Sequence, residues 1–332
     1  MTKIDIFSGF LGAGKTTLIK KLIKEAYAGE RVVLIENEFG EIGIDGGFLA
    51  DAGIEITEMN SGCICCSLVG DFTKALAKVL EEFSPDRIII EPSGVGKLSD
   101  IIKAVKKLEA PDAQLNCFTT VADAGKCRMY MRNFGEFYND QISFASAIVL
   151  SHTDKASDKK IKEAVELIRE HNKDAVIVTT PIDKLSGKEI LDAMEHRDTL
   201  EDALKKLEEE ARHHHHHHHH DHDEECDCGC HDHEHHHHHH ADEVFVSVGI
   251  ETANKFSKEK IAAVLEHFDE EDGLGMVLRA KGIVEGEDGN WIHFDYVPGE
   301  ADIRCGSAAA IGRLCVIGSG LDKEKIKELF EV

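Results

Sequence analysis

No apolar run among the 332 residues is long enough to cross a membrane, which excludes a membrane-spanning helix. The chain begins directly in a strand-like pattern, without the basic, then apolar, then small-residue order of a secretory signal, so a cytoplasmic location is expected. Basic residues are scarce: 38 Lys and Arg face 63 Asp and Glu, a net charge of −25. The stretch His213–His240 has four Asp, three Glu and no Lys or Arg, supplying −7 and leaving −18 for the rest. Nucleic acid and anionic membrane both need a basic footprint and are therefore excluded as partners. Such a charge is compatible with gathering cations. Internal fold repeats are also missing.

What is present begins at residues 9–16, Gly-Phe-Leu-Gly-Ala-Gly-Lys-Thr, directly after the strand-like Ile4-Asp5-Ile6-Phe7. This G-x-x-x-x-G-K-[ST] spacing lets Gly9, Gly12 and Gly14 curl the backbone until its N–H groups surround a polyphosphate. Lys15 is a point charge for the outer phosphates and the Thr16 hydroxyl a ligand for Mg²⁺. The following helix turns its positive end to the same anion, so Ala13 and Thr17 join the candidate phosphate contacts.

Three further elements refine this nucleotide site. Glu91-Pro92-Ser93-Gly94 ends an apolar strand, so Glu91 can hold Mg²⁺ through water and Gly94 can offer its N–H to a γ-phosphate. Lys15, Thr16 and Glu91 are the candidate catalytic residues. Ser151-His152-Thr153-Asp154 follows another apolar strand. Asp154 can accept the paired hydrogen bonds of guanine, favouring GTP over ATP, although the usual form is Asn-Lys-x-Asp. Cys63-Ile64-Cys65-Cys66 places three thiols within four residues. Three thiolates leave a coordination position of Zn²⁺ open, which reads as a transferable rather than a structural site.

The ten cysteines are read as thiols or metal ligands rather than disulfides. Cys117, Cys127, Cys305 and Cys315 sit singly and are expected to be ordinary buried residues. Of the 28 residues from His213 to His240, 17 are His, 7 acidic, 3 Cys and 1 Gly. The tract cannot form an apolar core and is expected to be a disordered metal-binding linker, with ligands including His213, His220, Cys226, Cys228, Cys230, His231 and His240. A purification tag would be terminal and uniform, whereas this tract is internal and interrupted.

The fold class expected is α/β: a P-loop NTPase domain with a mostly parallel sheet at residues 1–210, the linker at 211–242, and a smaller α+β C-terminal domain at 243–332. Strands are expected at 4–8, 31–36, 54–58, 87–91, 114–121, 147–151 and 175–179, and helices at 15–28, 68–83, 98–108, 159–171 and 187–212. The second domain should hold strands at 244–248, 277–284, 291–296 and 313–317, and helices at 258–268 and 322–330. His293 and Trp291 are read as surface and core members of one strand, and His267 as a dipole partner at a helix end.

The loop at 9–16, Glu36-Asn37-Glu38-Phe39-Gly40-Glu41, the Cys63–Cys66 motif, Glu91-Pro92-Ser93-Gly94 and Val121-Ala122-Asp123-Ala124 occur in this order. With Arg279-Ala280-Lys281-Gly282 and Ile317-Gly318, they make the chain resemble the CobW-like metallochaperone GTPases, in the CobW/HypB/UreG group of SIMIBI-class P-loop proteins. The resemblance implies GTP hydrolysis coupled to delivery of a metal, most often Zn²⁺ and alternatively Co²⁺ or Ni²⁺, to a client metalloprotein. It implies that Glu36 and Glu41 lie in a switch segment near the cysteines, as further candidate metal ligands. The C-terminal domain is expected to dock the client, and a homodimer is left open. Rival readings are a metal-buffering protein and an accessory GTPase inserting cobalt or nickel. No acid–base constellation points to a small organic substrate.

Overall fold

A computed structural model describes residues 1–36, 55–58, 69–108, 110–195, 244–270, 273–309 and 311–332. The expectations for Glu41, Cys63, Cys65, Cys66 and the tract at 213–240 lie outside the described residues, as does the end of the helix expected at 187–212.

The first sheet has seven strands, all paired in parallel, in the order β3-β2-β4-β1-β5-β6-β7. They are β1 (Thr2–Gly9), β2 (Val32–Glu36), β3 (Glu55–Glu58), β4 (Arg87–Glu91), β5 (Ala113–Asp123), β6 (Ala147–Ser151) and β7 (Val176–Val178). The continuous apolar runs of β2 and β4 reflect burial on both faces. Val33, Ile35, Ile88 and Ile90 join one core, and Val32, Leu34 and Ile89 join the other.

Helices cover both faces: α1 (Lys15–Glu25), α2 (Val69–Phe83), α3 (Leu98–Lys106), α4 (Cys127–Ser143), α5 (Asp158–His171) and α6 (Gly187–Met194). Helix α1 docks through Leu18, Ile19 and Leu22, all fully buried. Each such side chain contributes about 1.5–3 kcal/mol through burial. Helix α5 is capped by Ser157, and α6 by a Ser186–Glu189 capping box.

Helix α4 was not expected from the sequence. Arg, Asn and Gly interrupt its apolar stripe, and Phe134 leaves helical geometry at φ −135°. Its signal was aromatic: Tyr130, Phe134, Phe137 and Tyr138 recur at helical spacing and are all buried.

A charged group sits where β1 reads as apolar. Asp5 is fully buried and paired with Arg87, which is 1% exposed. Asn116 donates to Asp5 at 2.7 Å, and Arg87 also donates to Glu30 at 2.7 Å. Glu195 accepts from Lys3 at 2.9 Å and Asn116 at 2.8 Å, pinning the chain just beyond α6 to the amino edge of the sheet.

The second unit has an antiparallel sheet ordered β12-β11-β10-β13-β8, with short β9 pairing in parallel to β10. Its strands are β8 (Val246–Thr252), β9 (Lys255–Phe256), β10 (Met276–Gly286), β11 (Trp291–Val297), β12 (Glu300–Gly306) and β13 (Gly312–Ser319). Helices α7 (Lys258–His267) and α8 (Lys323–Phe330) accompany it, and the core takes Ile292, Phe294 and Tyr296 from alternate positions of β11.

Strands β9 and β12 were not expected, because neither shows an apolar alternation; β12 is a largely exposed edge. His293 and Trp291 are corrected. Residues two apart share a strand face. His293 is buried and donates from Nε2 to Ser307 O at 2.9 Å, while Trp291 is partly exposed. Cys117, Cys127 and Cys315 are buried as expected, but Cys305 is exposed on the edge strand, 3.0 Å from Lys258 Nζ. Burial pushes the Cys127 thiol up to about 11, which keeps it protonated and inert. His267 ends α7 as expected and lies 2.8 Å from Glu270.

Candidate nucleotide site

In an open parallel sheet, ligands collect at the carboxyl ends of the strands where the connection reverses direction. Here β1 is that strand: the chain leaves it toward β2 and β3 and later returns to its other side as β5. The loop after β1 runs straight into α1. Gly9, Gly12 and Gly14 have φ of 142°, 69° and 94°, a left-handed run that a side chain would strain. Lys15 is 6% exposed and its Nζ donates to Gly9 O at 3.0 Å, inside the curl.

The Thr16 hydroxyl lies 3.0 Å from Glu91 Oε1 at the end of β4. Gly94 presses on the loop from behind: a Cβ there would meet Leu11 N at 2.8 Å. Its carbonyl accepts from the buried Gln141 of α4 at 3.2 Å, and Gly96 O accepts from the same amide at 2.8 Å. Sequence reasoning missed Gln141 because it depends on the unexpected helix.

Gly12, Gly14, Lys15, Thr16, Thr17 and Glu91 line one cleft. Ala13 is buried beneath it. Glu36 is buried at the end of β2 and pairs in register with Glu91 of β4 on one side and Glu58 of β3 on the other. Three adjacent strands thus end in glutamate, a pattern that only the strand register reveals. Among the described residues no three His, Cys, Asp or Glu side chains cluster as metal ligands.

Asp154 is exposed in the loop after β6 and is not part of the cleft lining. Its neighbour His152 does line the cleft and has a left-handed φ of 54°. The Ser151 hydroxyl is buried beneath Gly14 and finds no hydrogen-bond partner among the described residues. Asp123 accepts from Gly125 N at 2.7 Å and lies 3.8 Å from Lys126 Nζ. Burial lowers the Lys126 pKa against the pull of Asp123.

The far wall of the cleft was missing from the sequence reading. It comes from the second sheet, through Arg279, Asp295, Val297, Glu300, Asp302 and Arg304. Glu300 pairs with Lys155, and that hydrogen bond holds the Glu300 carboxyl below the usual carboxylate range. Behind the cleft, Phe245 enters an aromatic cluster with Phe10 of the loop at 6.0 Å, Phe134 at 5.3 Å and Phe137 at 5.2 Å.

The profile described as CobW/HypB/UreG, nucleotide-binding domain, matches residues 3–179, and that of the cobalamin synthesis protein cobW C-terminal domain matches residues 245–332. The zinc chaperone YeiR of Escherichia coli (strain K12) is 29% identical over 188 residues, covering 56% of this chain and 57% of its own. The zinc chaperone CobW of Sinorhizobium sp is 36% identical over 178 residues, covering 45% and 50%. Among solved structures, the Zn(II)-bound YjiA GTPase from E. coli aligns over 99% of this chain and 98% of that one, at 21% identity and a TM-score of 0.45. The chain spans about half the length of the curated relatives it matches. Since the first profile runs from β1 through β7, over more than half of all residues, the chain belongs to the CobW/HypB/UreG family.

Proposed function

We propose that the protein is a GTP-hydrolysing metallochaperone that binds Zn²⁺, or a related divalent metal such as Co²⁺ or Ni²⁺, and delivers it to a client metalloprotein under GTP control. The observation that carries the nucleotide half is the 3.0 Å approach of Thr16 Oγ1 to Glu91 beside a Lys15 ammonium held inside the loop. A hydroxyl next to a carboxylate is the hard oxygen pair that suits Mg²⁺, so Thr16 directly and Glu91 through water would hold it. Bound there, Mg²⁺ neutralises phosphate charge. Lys15 exchanges Gly9 O for a phosphate oxygen, and the N–H groups of Gly12, Ala13, Gly14 and Thr17 orient the chain of phosphates. Gly94 offers its N–H to the terminal phosphate.

Asp154 would select guanine. Hydrogen bonds to a charged acceptor contribute about 1.5–3 kcal/mol. Asp154→Ala should therefore lower the ratio of GTP to ATP affinity by about tenfold or more, measured by competition with a fluorescent nucleotide. An unchanged ratio would remove Asp154 from the base site.

The metal half rests on Cys63, Cys65 and Cys66, which follow β3 in the chain, with Glu36 and Glu41 as further ligands. Support comes from the register: Glu36, a candidate metal ligand, shares a strand-end row with Glu91, so a change at the γ-phosphate would reach it across one strand pairing. Binding linkage is reciprocal, and a coupling of about 1–3 kcal/mol is a factor of roughly 5–150. Zn²⁺ titrated against a chelator should bind that much more tightly with a non-hydrolysable GTP analogue than with GDP. The protein used should have residues 211–241 replaced by a short linker, so that weaker histidine sites do not mask the result. Equal affinities would discard GTP gating. The 17 histidines of the tract would then favour metal buffering through His213–His220, Cys226, Cys228, Cys230 and His231–His240.

A further inference from the structure

The second sheet forms one wall of the phosphate cleft. Its core-facing residues pack with α7 and α8, so the opposite face is turned to the loop. Contact is close: a methyl at Gly12 would lie 2.0 Å from Val297 Cγ1. The Lys155–Glu300 pair fixes β12 to the loop after β6, and Phe245 fixes the start of the second unit beside Phe10.

The charges of the two walls differ in origin. From the first unit, Lys15 is the one lysine or arginine lining the cleft among the described residues, and Glu91 offsets it. A triphosphate brings more negative charge than Lys15 and one divalent cation neutralise, and more accumulates on the γ-oxygens as transfer begins. The opposite wall supplies Arg279 and Arg304.

The two arginines are placed differently. Arg304 sits on the edge strand β12, 44% exposed and paired with Asp302. Arg279 is 19% exposed on β10, which is flanked by β11 and β13. Strand β10 is hydrogen-bonded along both edges, by β11 and β13, whereas among the described residues β12 is paired with β11 alone. Arg279 Nη2 lies 3.6 Å from Asp295 Oδ2, and Lys281 Nζ lies 3.9 Å from the same oxygen. Asp295 thus keeps a cation beside it whenever Arg279 turns to phosphate.

We propose that Arg279 is an arginine finger supplied in cis: its guanidinium contacts the γ-phosphate of the bound triphosphate and stabilises the charge developed during hydrolysis. This rests on the GTPase reading above. Water oxygen bonds to the γ-phosphorus as the bond to the β,γ-bridging oxygen breaks. That electron pair leaves with GDP, and the water protons pass to inorganic phosphate and solvent. The second unit is then part of the hydrolytic site as well as a docking module.

The test compares wild type, Arg279→Ala and Arg279→Lys in single-turnover GTP hydrolysis, GDP affinity, and capture of GDP with aluminium fluoride, a mimic of the phosphoryl group in transfer. Both variants should lose at least about tenfold in rate, since lysine lacks the planar fork. Both should keep GDP affinity within about threefold and fail to retain the fluoroaluminate complex. Turnover and fluoroaluminate capture like wild type in Arg279→Ala would overturn the assignment. So would parallel loss of GDP affinity in both variants, which marks a structural role. A wild-type protein that neither binds nor hydrolyses GTP would instead defeat the GTPase reading, and this inference with it.

Discussion

Lys15→Ala should fold normally and hydrolyse GTP at less than about 1% of the wild-type rate. The ammonium is almost fully buried inside the loop, 3.0 Å from Gly9 O, and is separate from the apolar core that attaches α1 to the sheet. Leu18, Ile19 and Leu22 do that, and alanine is the best helix former. What is lost is a charge-assisted contact to the outer phosphates. A contact of about 3 kcal/mol in the transition state is worth more than a hundredfold in rate. Rates would be followed by phosphate release at saturating GTP, with thermal unfolding as the check on folding. Turnover within about threefold of wild type would remove Lys15 from the phosphate site.

Arg87→Met should produce the largest loss of stability, about 3–5 kcal/mol. Removing one partner of a buried ion pair leaves the other charged and desolvated. Asp5 is fully buried, and after the change it would be left with neutral partners, Asn116, the Cys117 thiol and the 3.3 Å contact from Tyr27, and no cation. The Arg87 guanidinium also lies 4.2 Å over the Tyr27 ring, so that stacking is lost as well. Urea denaturation measures the effect, and the Asp5→Asn, Arg87→Met double variant should recover a large part of it. A single variant within about 1 kcal/mol of wild type would show that the network is dispensable.

The first sheet was legible because its strands are buried on both faces and announce themselves as unbroken apolar runs, as in Val32–Ile35 and Ile88–Ile90. The loop at Gly9–Thr16 was legible because its chemistry requires particular residues at fixed spacing. What stayed hidden depends on tertiary neighbours. Helix α4 has a stripe broken by Gly135 and a kink at Phe134, and its cohesion comes from aromatic packing that a polar-versus-apolar pattern does not register. Strand β12 exists because β11 offers a free edge, not because its own residues alternate. The role of Asp5 could not be read from its own strand because its partner Arg87 lies 82 positions away. The cleft's far wall could not be read for the same reason: nothing in Arg279-Ala280-Lys281-Gly282 says what the strand faces.

The placement of Phe245 bears on how the molecule can be taken apart. It belongs by sequence to the second matched segment, yet it completes a core whose other rings come from the first. Leu278 and Ile317 join the same core. Cutting the chain between the two matched segments would therefore split a core rather than a tether, leaving Phe10, Phe134 and Phe137 facing water on an orphaned half. The two segments read as modules in the sequence, but they share one core and should therefore unfold together, and losing the second would withdraw support from directly behind the phosphate loop.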